Sequence, residues 1–156
     1  MPPALLCAAL GVSLGFAPRN VWPSCVLVLM TTVSALAFAP PPQTWLEGVF
    51  LACWLSVAVT AAAVHLPRGP QVVTAVALSL NAGIWLSAVV TLSGSSRDLW
   101  KALPWVLVFL PASWLVARRA SIAVKVISSW LIAVAVLAAA LQFLPVTPGY
   151  LPDHLE

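Results

Sequence analysis

Six stretches of this chain are apolar almost without interruption over 16 to 24 residues: 2–17, 21–39, 44–64, 71–93, 100–117 and 121–144. A run of that length has no polar face to turn to water, so it belongs in a large core or in hydrocarbon, where about 20 apolar residues make one helical crossing. No large core can be built here, because the runs leave only about 35 of the 156 residues for five connections and two tails. With 62% of residues hydrophobic and 7% charged, against roughly 45–50% and 25% in soluble domains, the chain cannot cover its surface with water-compatible groups. The same figures exclude disorder, which needs low hydrophobicity and many charges. The expectation is an all-α integral membrane protein with residues 1–156 as one transmembrane domain and no soluble domain. Barrel strands would alternate apolar and polar residues in segments of about ten, and these runs do not alternate.

The connections contain residues at which helices stop. Ala17-Pro18-Arg19-Asn20, Pro40-Pro41-Pro42-Gln43, Pro67-Arg68-Gly69-Pro70, Gly94-Ser95-Ser96-Arg97-Asp98 and Arg118-Arg119 separate the runs, and such clusters mark turns. Short turns favour a compact bundle of antiparallel neighbours, about six transmembrane helices. The first run is the weakest: 16 residues at 1.5 Å each reach about 24 Å against a core of about 30 Å. If that run is re-entrant, five helices cross. No Lys or Arg precedes it, unlike a signal peptide, so it is read as part of the mature chain.

Basic residues set the orientation. The first, third and fifth connections carry Arg19, Arg68, Arg118 and Arg119, with Lys125 one turn into the last helix, whereas the opposite side has Arg97 and Lys101 and all four acids, Glu47, Asp98, Asp153 and Glu156. Five against two places the odd connections in the cytoplasm and both termini outside, in what is read as a bacterial inner (cytoplasmic) membrane. Trp22, Trp45 and Trp100 fall at run ends, where indoles sit at headgroup level. Trp54, Trp85, Trp105, Trp114 and Trp130 lie further in, facing lipid or packing between helices, and Pro104 with Pro111 predicts a kinked fifth helix.

Two runs carry small residues every fourth position: Gly48, Ala52, Ser56 and Thr60 in the third, and Ala75, Ser79, Gly83, Ser87 and Thr91 in the fourth. Such rows let helix backbones approach closely in lipid, and the two rows are expected to face each other. They either pack or line a narrow polar path. Asn81 is the one strongly polar side chain near the middle of a run; an amide in hydrocarbon needs a partner, so it should bond to another helix or to a solute. No ionisable group sits at mid-run, which argues against a proton-coupled pump.

Gly11-Val12-Ser13-Leu14-Gly15 fits the spacing of a nucleophile elbow, but that device needs a strand-to-helix turn, and this segment reads as helix. Gly11 and Gly15 are taken instead as a close-packing face. The histidines, His65 and His154, stand at a run end and in the tail. Cys7, Cys25 and Cys53 are widely spaced with no CxxC, and paired carboxylates, HExxH, a P-loop and a haem-ligand pair are missing. No catalytic residue, cofactor or metal is therefore assigned. Seven scattered Lys and Arg make no nucleic-acid patch; the partners expected are the bilayer and a membrane protein or a second copy of the chain. Residues 54–64 resemble 130–141 and 26–29 resemble 106–109, an offset of three runs that would suit an inverted repeat. The function expected is that of a non-enzymatic accessory, assembly or anchoring subunit of a membrane complex. The alternative is a small dimeric transporter or channel for a neutral solute, with Ser79, Asn81, Ser87 and Thr91 near the path.

Overall fold

Proline and glycine punctuation separates the six α-helices of nine residues or more found among the described residues. The computed structural model describes residues 2–37, 42–67, 69–93, 101, 103–118 and 120–143, and every element among them is helical. The helices are α1 (Pro2–Leu14), α2 (Trp22–Ala37), α3 (Leu46–Ala62), α4 (Val72–Ser93), α5 (Phe109–Ala117) and α6 (Ser121–Leu141), with 3₁₀ turns at Arg19–Val21, Gln43–Trp45, Ala63–His65 and Leu103–Val108. Gln43–His65, Val72–Leu92 and Ser121–Leu141 are long and apolar enough to cross a membrane. Trp100, Arg68, Arg97, Arg119, Asp98, Asp153, His154 and Glu156 lie outside the described residues.

The shortest of the longer helices occupies the middle. Helix α1, 13 residues or about 20 Å long, packs against α3, α4, α5, α6 and the 3₁₀ segment before α5. Leu6, Cys7, Ala9, Leu10, Val12, Ser13 and Leu14 are all buried. An apolar surface on every side is what a surrounded helix requires. Pro2 and Pro3 are tolerated because the first turn has no intrahelical partner for their missing N–H groups. At the other end, the Leu14 carbonyl accepts two hydrogen bonds, from the Ala17 N–H at 3.0 Å and from the Trp22 indole Nε1–H at 3.1 Å.

The kink expected of the fifth segment takes the form of 3₁₀ helix through Val108 followed by α5. Pro111 stands in the first turn of α5, where it removes no helical bond. Gly11 and Gly15 meet this segment, as a close-packing face should. A Cβ on Gly11 would lie 2.7 Å from the Val106 carbonyl oxygen, and one on Gly15 2.7 Å from the Ala112 Cβ.

Two further seams complete the bundle, α2 on α4 and α3 on α6. Helix α6 offers one narrow stripe, Val124, Ser128, Leu131 and Ala135, and leaves Ile122, Val126, Trp130, Val136 and Leu137 exposed. The first, third and fifth connections gather at one end. Val12, Val64, Ala112 and Val124 form a small buried cluster there with Phe16, and Gly69, at φ 65°, sits where a Cβ would be 3.3 Å from the Phe16 Cβ. A two-half repeat would give α4 and α6 the same seam that α1 and α3 share; no such seam is present among the described residues.

Candidate functional site

The row of small residues on α4 faces α2. A Cβ on Gly83 would stand 2.8 Å from the Thr32 Cβ and 3.3 Å from the Leu29 carbonyl oxygen. Ser87 Oγ donates to the Val33 carbonyl at 3.4 Å, and Ser79 Oγ to the Ala75 carbonyl at 2.9 Å. Thr91 Oγ1 reaches the Ser87 and Ala88 carbonyls of its own helix. The expectation that this row meets the row on α3 is therefore corrected. Adjacency in sequence made α3 the presumed partner, but α4 packs on both neighbours and turns its small ridge to α2. The hydroxyls are taken up in helix packing and backbone bonds.

The row on α3 forms no continuous seam. Gly48 has nothing within 4 Å of the position its Cβ would occupy. Thr60 is fully buried, and its Oγ1 is the one buried side-chain polar atom without a hydrogen-bond partner among the described residues.

Ser56 does cross to α4, and here the expectation for Asn81 is met. Asn81 Nδ2 donates to Ser56 Oγ at 2.5 Å, while the Trp85 indole Nε1–H donates to Asn81 Oδ1 at 3.1 Å. Trp85 lies four residues after Asn81, one turn along the same face. That i, i+4 spacing is itself legible in the sequence and is the signal that pairs the two side chains. Ser56, Asn81 and Trp85 line a cleft of about 240 Å³ with Ala52, Leu55 and Val59. Trp85 also borders a second, apolar cleft of about 490 Å³, bounded by Leu36, Trp45, Gly48, Val49 and Ile84 at the junction of α2, α3 and α4. Gly48 lacks a neighbour because it opens into this space.

The cleft retains hydrogen-bonding capacity. An amide carries two donors and two acceptor lone pairs; Asn81 uses one of each, leaving one N–H and one lone pair. The cleft's other walls are hydrocarbon, Ala52 with the exposed Leu55 and Val59 on α3. A polar centre within apolar walls suits a helix or solute that carries its own hydrogen-bonding group.

Ser13 is not placed for nucleophilic attack. It is fully buried inside α1, its Oγ donating to the Leu10 carbonyl at 2.9 Å, and the His65 imidazole lies 3.4 Å from Ser129 Oγ. Cys7, Cys25 and Cys53 are buried free thiols, and no three His, Cys, Asp or Glu residues converge among the described residues. The chain matches no family model, no curated protein and no solved structure.

Proposed function

We propose that the chain is an integral protein of a bacterial inner membrane and acts as a non-enzymatic accessory or anchoring subunit, docking a membrane partner at the Ser56–Asn81–Trp85 cleft. Its length and apolarity support membrane residence, as do the many large hydrophobic side chains on its exterior. The charge distribution supports an orientation with the odd connections in the cytoplasm: Arg19, Arg118 and Lys125 stand at or near that end, and Glu47 opens α3 at the other.

One observation carries the choice between packing and transport. Helix α1 fills the middle of the bundle, and the Ser79 and Ser87 hydroxyls are taken up by backbone carbonyls, so the described residues of a single copy offer no polar route along the bundle. Apart from the fully buried Thr60 hydroxyl, hydrogen-bonding capacity remains at Asn81, which lines a cleft on the side of the bundle.

Purification in mild detergent tests this reading. The wild-type protein should elute with a second polypeptide, and Asn81→Leu should fold and elute alone. A protein that elutes by itself, and whose Asn81→Leu variant folds but loses the uptake of a neutral solute into vesicles, would instead favour a dimeric transporter.

A further inference from the structure

On the side of the bundle away from that cleft, a groove of about 620 Å³ runs between α2 and Phe109, lined by Trp22, Pro23, Val26, Leu27, Met30 and Thr31. Its walls offer no free hydrogen-bond donor, since the Thr31 hydroxyl donates to the Leu27 and Val28 carbonyls and the Trp22 indole N–H to the Leu14 carbonyl. From Trp22 to Thr31 the wall rises nine residues, about 13.5 Å, close to half of a hydrocarbon core about 30 Å thick and so to the depth of one leaflet. The end nearer the odd connections is closed by Trp22 and Phe109, whose ring centroids lie 4.5 Å apart in an edge-to-face contact. Over the Trp22 ring, 5.9 Å from its centroid, stands the Arg19 guanidinium. Arg19 is exposed, and the one acid among the described residues, Glu47, is at the far end of the bundle. A cation–π contact of this length uses the charge of the guanidinium and leaves its N–H groups for the oxygens of a phosphate.

We propose that Arg19 and this groove bind one anionic phospholipid, its phosphate on the guanidinium and one acyl chain lying between α2 and Phe109. A cation at headgroup level followed by a leaflet's depth of pure hydrocarbon wall fits that ligand. A polar solute would leave its hydrogen bonds unmade along the wall. The inference rests on the membrane residence proposed above, but not on the accessory role.

The test is native mass spectrometry of the full chain released from detergent containing equal phosphatidylglycerol and phosphatidylcholine. One phosphatidylglycerol should be retained about fivefold over phosphatidylcholine, the ratio equivalent to the ~1 kcal/mol that one basic side chain contributes near an anionic surface. Arg19→Gln should abolish the preference, and Arg118→Gln should keep it. Leu27→Trp, at a position 63% exposed, fills the groove without disturbing the core and should reduce retention of both lipids. Equal retention by the wild type, or a preference that survives Arg19→Gln in protein with an unchanged melting temperature, overturns the site while leaving membrane residence standing. Loss on Arg19→Gln with no effect of Leu27→Trp overturns the groove. Recovery of the protein from cells without detergent overturns both this inference and the membrane reading.

Discussion

Replacing Gly83 by alanine places a methyl carbon 2.8 Å from the Thr32 Cβ and 3.0 Å from its Cγ2, where α4 lies on α2. Carbon atoms prefer about 3.5–4.0 Å, so the two helices have to separate locally. Overpacking of this kind costs about 1–3 kcal/mol. Opposed to it is the gain of about 0.8–1.0 kcal/mol from removing a glycine from a helix. Gly48→Ala supplies the control, because it makes the same exchange in a helix with nothing within 4 Å of the new atom. The propensity gain is common to both, so the difference between them isolates the Thr32 contact and should be about 1–3 kcal/mol. Reversible unfolding in mixed micelles, followed by tryptophan fluorescence, measures it. Gly83→Ala should unfold at lower denaturant than Gly48→Ala, and Thr32→Gly in the Gly83→Ala background should restore part of the loss through a coupling of about 0.5–3 kcal/mol. Equal stabilities for the two alanine variants, or additive effects of Gly83→Ala and Thr32→Gly, would refute the α2–α4 seam.

A reporter active only in the cytoplasm should be active when fused after Arg68 or Arg119 and silent after Pro41 or at Glu156; activity at Glu156 would sink the arrangement with both termini outside. Ser13→Ala should leave any cellular phenotype intact, whereas Gly15→Leu should lower the yield of folded protein by driving α1 from Ala112, and labelling of Ser13 by a fluorophosphonate probe would reverse that reading. Trp22→Phe keeps an aromatic ring near Phe109 but deletes the indole bond to the Leu14 carbonyl, so the same unfolding assay should show a loss of about 0.5–1.5 kcal/mol; no loss would mean that the Ala17 N–H alone satisfies that carbonyl.

The starts of α2 and α4 are legible because proline and glycine act locally: the runs 21–39 and 71–93 hold helices that begin at Trp22 and Val72. Position within the bundle is not. Length marked the first run as the weakest crossing, but an apolar surface on all sides looks the same in a helix wrapped by protein and one wrapped by lipid, so the central place of α1 left no separate mark. Gly11 and Gly15 announced a close approach without naming its partner, which depends on where the interrupted fifth segment returns. Asn81 could be singled out because a lone amide in an apolar run has to find a partner. The clefts beside it could not, since they are spaces left where three helices diverge. Gly48 and Gly83 belong to similar rows in the sequence, and only the structure separates the open one from the packed one.

Helix α1 leaves the ribosome well before the surface that covers Gly11. At roughly 5–20 residues per second, the roughly 95 residues from Gly11 to Val106 take about 5–20 s to synthesise. During that interval α1 has α3 and α4 to lean on but lacks the 3₁₀ segment and α5, which cover its glycine face. A chain halted after α4 would therefore present an uncovered, short helix to the cell's quality-control proteases. The final form of the bundle waits on its fifth segment, and substitutions there should lengthen the lifetime of the immature chain even where they leave the stability of the finished protein unchanged.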